Sequence, residues 1–182
     1  MEFMQSGPDI VRSNTQRWLL DYWAKFRGHG SLPIWHGLNP GDFAVPFENL
    51  AVIQIVGDAG DMRFRIEFHG KRLVEAFGPV DCVGKCLDEI LPPAYQNSAL
   101  ATYRQVVNGK APVYTVADMR DPAGRIVHHE RLLLPFSIGG VDVERILASI
   151  EAASPEGPFE LRDLMKSPIR PPVIALCATI QY

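Results

Sequence analysis

Between residues 50 and 68 the apolar side chains settle into a strand period, and this segment constrains the fold more than any other. Residues 50–56 are almost wholly apolar and rich in β-branched types, as in a strand covered on both faces. Residues 57–61 carry Gly57, Asp58, Gly60 and Asp61, which is turn chemistry. Residues 63–68 then alternate, with Phe64, Ile66 and Phe68 on one side and Arg63, Arg65 and Glu67 on the other. The segment is a β-hairpin, and the fold class depends on what flanks it.

Helical periods lie on either side. Upstream, Trp18, Leu19, Tyr22, Trp23 and Phe26 form an amphipathic stripe, with Ser13 or Asn14 placed to cap its start and Gly28 and Gly30 to end it. So large an aromatic face must pack on a sheet of the same chain, on a second copy, or on both. Residues 31–49 are a connection broken by Pro and Gly, in which Asn39-Pro40 could open a short helical turn through Asp42 to Ala44. Downstream, residues 70–77 and 86–91 read as short helices stopped by Gly78-Pro79 and Pro92-Pro93. Residues 94–108 form the best helix of the chain, with Gly109 placed to cap it. Three strand-like segments follow at 112–119, 125–137 and 143–152, separated by Asp121-Pro122-Ala123-Gly124 and Gly139-Gly140. Strand-rich ends around a helical middle exclude a parallel βαβ sheet. After residue 153, five prolines divide the tail, and the apolar decamer 173–182 is strand-capable and expected to lie on this domain or on a partner.

Composition narrows the function. With 18 Lys plus Arg against 21 Asp plus Glu, the net charge is −3, and no basic cluster is present to meet a phosphate backbone, so nucleic acid is not an expected partner. No apolar run approaches the roughly 18 residues of a membrane span, and residues 1–12 lack a signal-like apolar stretch. Three Cys point to a reducing, cytoplasmic setting.

The order of elements, together with Leu32-Pro33, Asn39-Pro40, the run from Arg63-Phe64-Arg65 into Gly70, Phe77-Gly78, Val83-Gly84 and the segment from Glu130 and Arg131 through Leu134-Pro135, resembles a PAS domain of the type common as near-single-domain proteins in alphaproteobacteria. The resemblance covers about residues 14–152. It implies an α+β fold: a five-stranded antiparallel sheet with helices on one face and an N-terminal amphipathic helix. It further implies room for a small apolar ligand between the long helix and the sheet, lined by Phe68, Phe77, Tyr95, Ala99, Tyr103 and Leu134, with His128 in phase to join them. Against this stands a core in which the same side chains simply fill space.

Cofactor signatures are weak. Haem-holding PAS domains generally place a His on the long helix, and 94–108 has none. Cys82 and Cys86 lack the pattern by which blue-light relatives bond flavin, and with Cys177 they make no four-ligand zinc set. They read as ordinary thiols. Asp81, Lys85, Asp88 and Glu89 read as a solvated face, and Arg65 and Glu130 as strand charges needing partners. His128, His129, Glu130 and Arg131 are dense in ionisable groups, but neighbours on a strand point to opposite faces.

The expectation is therefore a flexible N-terminus (1–13), a PAS-like domain (14–152, with helix 14–27 and core 50–152) and a Pro-rich arm (153–182). Its role would be that of a non-enzymatic cytoplasmic sensor or interaction module without cofactor, metal or membrane. It would pair with itself through Trp18, Leu19, Tyr22, Trp23 and Phe26 and pass a signal to another protein. The alternatives are a haem or other cofactor sensor and, behind it, a small enzyme.

Overall fold

A computed structural model of the chain describes residues 2–27, 32–38, 45–58, 60–78, 80–162, 164–166 and 171–182. The strands are β1 (Met4–Ser6), β2 (Leu50–Val56), β3 (Arg63–His69), β4 (Val113–Arg120), β5 (Ile126–Phe136), β6 (Arg145–Ala153) and β7 (Val173–Ile180). The helices are α1 (Asn14–Phe26), α2 (Lys71–Phe77), α3 (Leu87–Ile90) and α4 (Pro93–Gly109). Three short 3-10 turns include Leu164–Lys166. The expected turn at 42–44 and the glycines at 28 and 30 lie outside the described residues. Among those described, α1 ends at Phe26, with Arg27 extended.

The sheet has seven strands, in the order β1-β7-β4-β5-β6-β2-β3, where five were expected. Strands β2 to β6 form the antiparallel set that the sequence pattern implied. The addition comes from the two ends of the chain. β7 pairs antiparallel with β4, Ala178 facing Tyr114, and β1 pairs parallel with β7, Met4 facing Ala178. Residues 1–13, expected to be flexible, thus contribute a strand. The edge that β4 would have left bare is covered by the chain's own tail. The tail is also tied down before β7. Buried Asp121 accepts from the backbone N–H of Arg125 (2.8 Å) and of Glu160 (3.1 Å), and Arg125 donates to the Pro158 carbonyl.

The sheet is covered on both sides. On one face lie α2, α3 and α4. On the other lies α1, where Leu19, Leu20 and Trp23 are fully buried and the Trp23 indole N–H donates to the Pro135 carbonyl at 2.6 Å. Buried Gln16 donates to the carbonyls of Ser149 (3.0 Å) and Glu130 (3.3 Å), pinning the helix to the sheet. This overturns the expected dimer stripe at two of its five positions: Leu19 and Trp23 belong to this chain's own core. The apolar stripe is wide enough to serve two surfaces. Trp18, Tyr22 and Phe26 form an aromatic ladder along its flank, with ring centroids 5.5 and 4.7 Å apart, and only Phe26 of the three is exposed.

α4 runs one residue further than expected at each end. The left-handed position that closes it is Lys110 (φ 49°) instead of Gly109. The Lys110 ammonium reaches the Val141 carbonyl at 2.8 Å and Asp142 at 3.1 Å.

Candidate functional site

On the α4 side, a cavity of about 70 Å³ lies between α2, α4 and the sheet. Ala51 and Ile53 of β2, Ile66 and His69 of β3, His129 and Arg131 of β5, and Ile150 and Ala152 of β6 form its floor. Leu73, Ala76 and Phe77 of α2 and Tyr103 of α4 form its walls. Leu161, Leu164 and Met165 of the C-terminal arm complete it. A second cavity of about 50 Å³ adjoins it, sharing Leu91, His129, Arg131 and Met165, and is lined further by Tyr95, Ala99 and Ile174.

Strand alternation decides which of the expected residues reach these cavities. Phe77 and Tyr103 line the larger one, and Tyr95 and Ala99 the smaller. Phe68, His128 and Leu134 line neither. His128 and Leu134 share a phase, but it is the phase of the α1 face; the odd-numbered residues His129, Arg131 and Leu133 point to α4. His128 instead takes Asp118 at 2.6 Å on that far face, where the Tyr114 hydroxyl donates to Glu130 at 2.7 Å. Phe68 is displaced by a β-bulge. Val52 opposes Phe68 while the next residue, Ile53, opposes Ile66, so Glu67 is the extra residue on β3. Beyond the bulge the phase flips. Phe68 swings out to pack against Phe47 (centroids 6.4 Å apart), and His69 swings in, edge-on to Phe77 at 5.3 Å.

The polar groups on the larger cavity's wall are thus His69, His129, Arg131, Arg72, Asn49 and Tyr103, with no Asp or Glu among the described lining residues. Burial holds both imidazoles neutral: His69 is lowered to about 4 by desolvation, against a small opposing influence of Asp81, and His129 to about 3 by desolvation and then the Arg131 charge. The Arg131 guanidinium donates to the Thr102 hydroxyl at 2.6 Å and lies 5.4 Å over the Tyr103 ring. Burial pulls it below its ordinary value, and it remains a cation. Desolvation pushes the Tyr103 phenol up, with Arg131 opposing.

The profile of the PAS domain family matches residues 11–151. The chain belongs to the PAS domain family. No curated protein matches it. PAS domains are generally sensory modules, and the antiparallel set β2 to β6 with helices packed on its face is consistent with that fold. The PAS match ends at residue 151, so Leu161, Leu164 and Met165 enter the cavity wall from outside it.

Cys82, Cys86 and Cys177 are buried free thiols, pushed up by burial, and no cluster of metal-ligating side chains occurs among the described residues. Asp88 and Glu89, expected to face solvent, hold Arg63 at 2.7 and 3.2 Å. Arg65 donates to Gln54 on an exposed strand face. No described helix is long and apolar enough to cross a membrane. The larger cavity, at about 70 Å³, is several-fold smaller than the roughly 300–1,000 Å³ of sites for drug-sized ligands.

Proposed function

We propose that this PAS domain is a non-enzymatic sensory and interaction module in which a small molecule, bound between α4, α2 and the sheet, sets the position of the C-terminal arm. The observation that carries this reading is the shared wall. Leu161, Leu164 and Met165 of the arm meet the PAS core around one cavity, and the same arm continues in sequence into β7, the strand next to the sheet edge. An occupant that contacts the arm can therefore bias an element presented at the surface, provided it binds one arm position more tightly than another.

Non-enzymatic action is supported by the placement of ionisable groups. His128, Asp118 and Glu130 lie on the face away from the cavities. The two histidines that do line the larger cavity stand beside no Ser, Cys, Asp or Glu side chain among the described residues of its wall. Output in this reading is by contact with another protein. The outer flank of α1, ending in exposed Phe26, is the surface on which a second copy docks.

Native mass spectrometry of freshly purified protein, joined to hydrogen exchange, tests the reading. We expect a noncovalent small-molecule adduct, a dimer that Phe26→Asp weakens, and slower exchange in residues 154–165 when the adduct is present. Bare monomer mass with exchange in 154–165 indifferent to added cell extract overturns it. A Soret band in the visible spectrum would replace it with a haem sensor.

A further inference from the structure

We propose that the cavity binds a short-chain aliphatic monocarboxylate, with its carboxylate held by the Arg131 guanidinium. This rests on the cavity being a ligand site, as argued above, and names the chemistry it accepts.

The first support is the charge inventory. Arg131 and Arg72 both line the larger cavity, and neither cavity has an Asp or Glu on its described wall. Arg131 has the Thr102 hydroxyl and the Tyr103 ring and phenol as neighbours, but its buried Nε has no hydrogen-bond partner, and no carboxylate among the described residues forms an ion pair with it. A guanidinium in such surroundings is costly until a counter-charge meets it. Its planar fork matches a carboxylate, which can accept two parallel N–H bonds.

The second support is size. The main cavity is about 70 Å³ and its neighbour about 50 Å³, and Arg131 borders both. A dry cavity of roughly 150 Å³ accepts benzene, so the two cavities together limit the occupant to about the six heavy atoms of butyrate.

The third is the remaining wall, where Ile53, Ile66, Leu73, Phe77, Leu87 and Ile150 surround the polar end. An aliphatic body suits them. A phosphate or sulfate does not, because its further oxygens would be left against apolar side chains.

The competing role for Arg131 is purely structural: a tie from β5 to Thr102 on α4. The experiment separates the two. The full chain is titrated by calorimetry and thermal melts with acetate, butyrate and hexanoate, and with butyramide as the neutral isostere. Butyrate is expected to raise the Tm, to bind at least tenfold tighter than butyramide, and to exceed both acetate and hexanoate. Arg131→Met should lose at least tenfold in butyrate affinity while its ligand-free Tm is no lower than that of the unsubstituted protein. If that variant does not fold, Arg131→Lys, which keeps the charge and loses the fork, should lose at least tenfold. The proposal is overturned if butyramide binds as well as butyrate, if the Arg131 variant that folds keeps its affinity, or if no carboxylate in the series binds. A native mass adduct of non-acidic composition also overturns it while leaving the ligand-site reading intact. Absence of any adduct together with absence of binding removes both.

Discussion

Trp23 and Phe26 lie on one helix, three residues apart, and differ in what their rings touch. Trp23 is fully buried and bonded to the Pro135 carbonyl, whereas Phe26 is 52% exposed. Trp23→Ala should cost about 3–5 kcal/mol in urea unfolding, and Phe26→Ala less than about 0.5 kcal/mol. Sequence periodicity identified both as apolar helix residues, but it could not divide the stripe, because a face wide enough to meet a sheet is also wide enough to extend past it. The same limit explains the site. Phe77 and Tyr103 were legible because helical phase is set by the nearest apolar neighbours. His128 and Leu134 were placed on the wrong face because alternation reports which residues share a side and not which side carries α4. His69 was hidden behind a bulge for which an alternating sequence gives no signal. The two cavity histidines also fix a pH response. Each is depressed in the fold, to about 4 and about 3, below the ordinary value near 6.5. Between those values the unfolded chain binds protons that the folded chain refuses, so stability falls as pH drops below about 6.5, by up to about 1.4 kcal/mol per pH unit for each group. Urea midpoints from pH 7.5 to 5 should show this decline, and His69→Gln should flatten it.

At the scale of elements, nearly every helix and strand from residue 50 to 153 could be read from period and turn chemistry. Local sequence carries that information: Gly-rich turns, Pro stops and apolar alternation all act over a few residues. β1 and β7 are different. β7 was legible as strand-capable, but its partner lies some sixty residues upstream in β4, and β1 is three residues long with no apolar pattern of its own. Such pairing is decided by an open edge elsewhere in the fold. β7 is an interior strand, with ladders on both sides. Ala178→Pro should therefore break bonds to β1, β4 or both. Hydrogen exchange is expected to quicken in residues 4–6 and along β4 and to stay unchanged in β2 and β3. Unchanged protection in β1 and β4 would show that β7 does not depend on this register.

Seen as a whole molecule, the chain closes on itself. Gln181 donates its backbone N–H to the Ser6 carbonyl at 2.9 Å, and Ile180 donates to Pro112 at 2.8 Å, so the first and last described strands lie side by side and run the same way. That geometry has a mechanical meaning. A pull applied at residues 2 and 182 draws two parallel strands in opposite directions along their length. Their hydrogen bonds are then loaded together and cannot open one after another as in a zipper. The short pair Met4–Ser6 and Ala178–Ile180 becomes a latch under shear, and tension must break it before any of it reaches the arm that roofs the cavity.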